Sequence, residues 1–132
     1  MNDKNPWHKP NPPVGILLVN LGTPAAPTRR AVGRYLREFL SDSRVVDLPR
    51  WVWWFILNGL IVPFRSGRVA QNYQKIWLSG GSPLLVNSQR QAAELQSLLR
   101  TQSSQAVVVE LGMTYGQPSI ACALRKLREQ HI

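Results

Sequence analysis

Three short stretches of this 132-residue chain carry residue types that could hold a ligand, and few residues could transform one. Asn20-Leu21-Gly22-Thr23 closes an apolar run of strand length. In open α/β sheets, ligands sit just beyond the carboxyl ends of such strands. Ser79-Gly80-Gly81-Ser82-Pro83 reads as a sharp turn whose glycines leave backbone N–H groups free for a carboxylate or phosphate. The third stretch runs from Trp51 to Pro63, apolar almost all round and flanked by Arg50, Arg65 and Arg68. It suits an anionic lipid surface or the lip of a pocket for a flat apolar ligand.

Reactive groups are scarcer. The two histidines, His8 and His131, lie at opposite ends of the chain, and the seven carboxylates are scattered, so no acid–base pair stands out. One cysteine, Cys122, and two histidines cannot assemble a structural zinc site. The chain has no Gly-x-Gly-x-x-Gly after its first apolar run, no phosphate-binding loop ending in Gly-Lys-Ser/Thr, and no Gly-x-Ser-x-Gly elbow. A net charge of +9 implies an acidic partner, whether nucleic acid, an anionic membrane or a carboxylated ligand. Without a recognisable reading motif, nucleic acid is not expected. The lone cysteine rules out an internal disulfide framework and fits a reducing cytosol.

The elements that must position these stretches follow from pattern. Residues 1–13, rich in Pro, Lys and Asn, read as a flexible tail that contains Trp7 and a solvated, non-functional His8. Val14 to Leu21 is too short for a usual helix and apolar on both faces, so it reads as a strand covered on both sides. Thr28 is positioned to cap a helix ending near Ser41-Asp42. Its Val32, Tyr35, Leu36, Phe39 and Leu40 would face the sheet, with Arg29, Arg30, Arg34 and Arg37 on a solvated side. Ser43 to Arg50 reads as a short extended connection. The Trp-rich run after it is too short to cross a bilayer, and three tryptophans in four positions fit a boundary better than a small core.

Ser66 reads as the cap of a helix with Val69, Tyr73, Ile76 and Trp77 in one stripe. Ser88 and Gln91 have the spacing of a capping box for a helix carrying Ala92, Leu95, Leu98 and Leu99. Val107 to Tyr115 is a second strand, with Leu111, Met113 and Tyr115 on one side and Glu110, Gly112 and Thr114 on the other. A last helix follows Pro118-Ser119, burying Ile120, Ala123, Leu124 and Leu127, with Cys122 packed beside them. Strand, helices, strand, helix is the opening of a doubly wound α/β domain. Two parallel strands make a poor sheet, so the expectation is a domain cut before completion.

Five motifs stand in register along the chain: Leu17-Leu18-Val19-Asn20-Leu21-Gly22-Thr23-Pro24, Tyr35-Leu36-Arg37-Glu38-Phe39-Leu40-Ser41-Asp42, Arg44-Val45-Val46-Asp47, Gly80-Gly81-Ser82-Pro83-Leu84 and Met113-Thr114-Tyr115-Gly116-Gln117-Pro118-Ser119-Ile120. Together they resemble the ferrochelatases, the bacterial type most closely. The resemblance implies a Rossmann-like chelatase fold, of which residues 14–132 would be the N-terminal domain, incomplete, with 51–64 as an apolar lip. It implies insertion of ferrous iron into protoporphyrin IX, the last step of protohaem synthesis, with no permanently bound cofactor and no metal site in this chain.

On the family's pattern, Leu21, Ser82, Met113, Thr114 and Tyr115 would face the porphyrin. Trp51, Trp53, Trp54 and Phe55 would form the lip and meet the membrane. The family's catalytic histidine and its acidic partner belong to the C-terminal half, and His131 does not match that histidine. The resemblance therefore implies a porphyrin-holding half, inactive alone, whose partners are the porphyrin, the C-terminal half and the membrane surface. Its location would be cytoplasmic, peripheral at the inner membrane. The alternative is a non-catalytic porphyrin- or haem-binding module at that surface.

Overall fold

A computed structural model describes residues 11–132. The Trp7 and His8 of the N-terminal tail lie outside the described residues. Two strands, β1 (Val14–Gly22) and β2 (Val107–Tyr115), pair in parallel, from Val14 opposite Val107 to Gly22 opposite Tyr115. Between them come α1 (Arg29–Leu40), α2 (Arg50–Ile56), α3 (Val62–Ile76) and α4 (Pro83–Gln102); α5 (Ile120–Glu129) follows β2. The fold is thus α/β with a parallel sheet and helices on both faces. Strand alternation divides the sheet. Leu18, Val109, Leu111 and Met113 pack with Leu85 and Ala92 of α4 on one face. On the other face α5 begins at Ile120 over Gly112 and ends with Leu127 over Gly15. A Lys126–Glu110 ion pair at 3.7 Å lies along it.

That course of α5 corrects one expectation. β1 is not covered on both sides, because α5 runs back from Gly112 toward the amino ends of the strands. Val19 and Leu21, beyond its reach, are exposed, and Leu21 keeps 49% of its surface.

Local capping explains where most helices start. Thr28 accepts the Ala31 N–H at α1, Ser82 the Leu85 N–H at α4, and Ser119 the Cys122 N–H at α5. Pro83 takes the first turn of α4, where its missing N–H costs nothing. The Ser88–Gln91 pattern is therefore not a cap: α4 starts six residues earlier, and Ser88 is buried in its interior. Nor does Ser66 start a helix. From Arg50 to Ile76 the chain stays helical, α2 passing into α3 through one wide turn, Leu57–Ile61. There the Val62 N–H reaches back to the Leu57 carbonyl. An extra residue in one turn shifts the hydrogen-bond ladder just where Pro63 has no N–H to offer. Ser66 ends up buried in α3.

α1 packs chiefly on α3 and not on the sheet, with Val32 fully buried. Of the residues expected to face the sheet, Tyr35 and Phe39 meet the strand ends, through the Gly22 carbonyl and the Tyr115 ring. Two of its arginines are also not simply solvated. Arg29 Nη2 donates to the Pro63 carbonyl at 2.7 Å and Arg37 Nε to Asn58 Oδ1 at 3.0 Å, fastening α1 to the long helix. Residues 43–45 form a turn where an extended link was expected, and the chain then runs irregularly, with a bend at Leu48, up to Arg50. Leu124, expected in the core, is exposed on α5.

Candidate functional site

At the carboxyl end of the sheet the two strands close tightly. A Cβ on Gly22, whose φ is +117°, would stand 1.8 Å from the Tyr115 carbonyl oxygen. Only glycine permits that approach and that backbone conformation. Asn20 organises the same end. Its Nδ2 donates to Ser88 Oγ at 2.9 Å, its Oδ1 accepts the Leu21 N–H at 2.8 Å, and its carbonyl accepts the Thr114 hydroxyl at 3.2 Å.

α1 supplies the next layer. The Tyr35 hydroxyl donates to the Gly22 carbonyl at 3.2 Å, and both Glu38 oxygens accept the Gly116 N–H at 3.2 Å. Burial, with added repulsion from Tyr73, Tyr115 and Glu38, pushes the Tyr35 phenol up to about 12. Phe39 stacks on Tyr35 and meets the Tyr115 ring edge-on at 5.1 Å.

The turn after α1 adds a charged cluster. Asp42 Oδ2 accepts the Tyr115 hydroxyl and Arg44 Nη2, each at 2.8 Å. Asp42 Oδ1 accepts Arg44 Nε at 3.1 Å and the Arg44 backbone N–H at 2.9 Å. The hydrogen bonds from Arg44, then that from Tyr115, hold the Asp42 carboxyl well below the usual carboxylate range. The same contact raises Arg44 and Tyr115 above their ordinary values, in each case mainly through the hydrogen bond to Asp42. Asp42 also lines a hollow of about 110 Å³ with Val46, Leu48, Arg50, Trp53 and Leu57. Trp53 is pinned there by Nε1 donating to the Leu40 carbonyl at 2.5 Å.

The residues expected from sequence divide into two groups. Leu21 and Thr114 are exposed at the strand ends, and by alternation they share a face. Met113 and Tyr115 point to the opposite face; Met113, 1% exposed, belongs to the core under α4. Ser82, also 1% exposed, is committed to the α4 cap. The glycine turn before it does not leave all its N–H groups free: Gly81 and Leu78 exchange backbone hydrogen bonds at 3.1 and 2.9 Å. In α2, Trp51, Trp54 and Phe55 are exposed while Trp53 is half-buried.

Sequence reasoning did not single out Glu38, Asp42 or Arg44 as site residues. For Asp42 a local signal existed, since aspartate two residues before Arg44 has the spacing of a side-chain-to-backbone turn. Among the described residues no group of three or more His, Cys, Asp or Glu is placed to hold a metal ion.

Residues 13–132 match the family model described as Ferrochelatase. The ferrochelatase of Cronobacter sakazakii is 56% identical over 118 residues, which is 89% of this chain and 35% of that protein. That of Mannheimia succiniciproducens is 54% identical over 118 residues, 89% of this chain and 36% of the relative. Ferrochelatase 1 of Shewanella oneidensis is 52% identical over 121 residues, 92% of this chain and 36% of the relative. The chain spans about a third of the length of the curated relatives it matches.

Proposed function

The chain belongs to the ferrochelatase family, and on that premise we propose that it supplies a porphyrin-gripping lobe of an enzyme that inserts ferrous iron into protoporphyrin IX. The observation that carries this reading is the match along residues 13–132. The apolar side chains left open at the carboxyl end of the sheet support it, because a macrocycle needs a greasy slab to lie on. Leu21 and Thr114 are the contacts proposed for the ring. Ser82, Met113 and Tyr115 shape the wall from behind.

The exposed Trp51, Trp54 and Phe55 are proposed to rest at the boundary of the inner membrane, with the body of the protein cytoplasmic. Tryptophan favours that boundary because its ring is apolar and its N–H is not. No helix among the described residues is long and apolar enough to cross a membrane, so the contact would be peripheral. Ferrous iron is a substrate in this scheme. Removal of the pyrrole protons is assigned to the histidine-bearing part of the family's architecture, so these 132 residues alone are proposed to bind the ring without metallating it.

Titrating protoporphyrin IX into the purified chain, followed by Soret absorbance, tests the grip. Saturable binding that Leu21→Asp weakens is expected. A spectrum that never changes overturns the reading. An iron-insertion assay on the same sample should show negligible turnover.

A further inference from the structure

Asp42 is a carboxylate with every acceptor position occupied: two hydrogen bonds on Oδ1 from Arg44, and one each from Arg44 and Tyr115 on Oδ2. It has no lone pair left for a ligand. What it does have is reach. Its contacts join the turn between α1 and α2 to the end of β2, 73 residues away. The same residue lines the hollow formed with Arg50, Trp53 and Leu57 at the root of the aromatic helix. Tyr115 is held on its ring side by Phe39 and at its hydroxyl by Asp42.

We propose that Asp42 is a positioning residue for porphyrin binding, fixing Tyr115 and the Arg44 turn so that the end of β2 and the aromatic helix form one wall. This rests on the porphyrin reading above. Asp42 acts through Tyr115 and does not touch the ring. The phenol spends its proton on Asp42, and its other neighbours are Arg44 of the same turn and Glu38 and Tyr35 of α1. Two nearby carboxylates oppose a phenolate, and one arginine does not reverse that. Tyr115 is therefore a neutral wall, and not the base that takes the pyrrole protons.

The test is a double-mutant cycle with Asp42→Asn and Tyr115→Phe, scored by protoporphyrin affinity, with Asp42→Glu as the conservative variant. A hydrogen bond to a charged group is worth enough for each single change to weaken binding about tenfold. The double variant should lose no more than either single one, and Asp42→Glu should recover part of the loss. Phenol absorbance near the phenolate band gives a second readout: in Asp42→Asn, Tyr115 should ionise at lower pH than in the parent. Additive losses, single variants that bind like the parent, or an unmoved phenol titration each overturn the proposal. A parent chain that ignores porphyrin overturns the function reading with it. Parent binding left intact by Asp42→Asn overturns only the role of Asp42.

Discussion

Asn20 Nδ2 and Ser88 Oγ lie 2.9 Å apart, linking the carboxyl end of β1 to the buried interior of α4 across 68 residues. The bond fixes the Asn20 amide, whose other end holds the Leu21 N–H at 2.8 Å. The strand end that presents Leu21 is thereby anchored to the helix beneath the opposite face.

Ser88→Ala should destabilise the chain by about 1–3 kcal/mol, because it strands a partly buried amide donor. The denaturation midpoint in urea would fall with the slope unchanged. Ser82→Ala should cost about 1 kcal/mol by a different route, the lost cap of α4. If Ser88→Ala leaves the midpoint where it was, the Asn20–Ser88 bond does not hold the strand end.

Gly22→Ala should abolish soluble folded protein, since the new Cβ would overlap the Tyr115 carbonyl oxygen at 1.8 Å. A backbone–backbone clash cannot be relieved by a rotamer change. Gly59→Ala, in the wide turn with nothing within 4 Å of the added carbon, should instead be neutral or stabilise by up to about 1 kcal/mol. Circular dichroism of the two variants gives the comparison.

Alkaline stability should depend on Tyr35. Its native phenol is pushed up to about 12 from an ordinary 10.0, chiefly by burial. The native state therefore keeps a proton that the unfolded chain gives up, so its contribution is full below pH 10 and lost as pH rises toward 12. Asp42 works in the opposite direction. Its carboxyl is lowered by Arg44 and Tyr115, so its contribution is full above the usual carboxylate range and disappears as pH falls through its depressed native value. Melting curves across pH should show a shallower alkaline slope in Tyr35→Phe, with the part due to the raised Tyr115 phenol remaining, and a shallower acid slope in Asp42→Asn. Slopes unchanged in both variants would contradict the assignment.

Trp54→Glu should leave stability within about 0.5 kcal/mol, as expected of an exposed position. Binding to vesicles containing anionic phospholipid should fall, as a flotation assay would register. Trp53→Ala should do the reverse of the first part, lowering the melting temperature because its ring is half-buried and its N–H is bonded to the Leu40 carbonyl. Vesicle binding equal to the parent in Trp54→Glu would remove the membrane from the proposed role.

Several features were legible before any coordinates. Both strands announce themselves as apolar runs of strand length, β1 between Pro13 and Gly22 and β2 closing on Gly116, and β2 occupies Val107–Tyr115 as read. Thr28 caps its helix as read, and the helix stops at Ser41. These succeed because their causes act within four residues. The caps assigned to Ser66 and Ser88 fail for a related reason: a serine with the right residues after it looks alike at a helix start and in its interior. Only the preceding turn distinguishes the two, through Ser82-Pro83 in one case and the wide Leu57–Ile61 turn in the other.

By itself, then, the chain's order of residues determined the α/β class, the parallel strand pair, the exposed tryptophan-rich segment and the family. Tertiary structure alone decided that Leu21 and Thr114 are open while Ser82, Met113 and Tyr115 are enclosed. It also decided that Asp42 closes on Tyr115 and that Asn20 closes on Ser88. Hydrophobic pattern is a local property, set by the period of a helix or strand, and can be read along the chain. Which polar groups meet depends on how whole elements pack. Partners 68 and 73 residues apart leave no mark on each other's neighbourhoods.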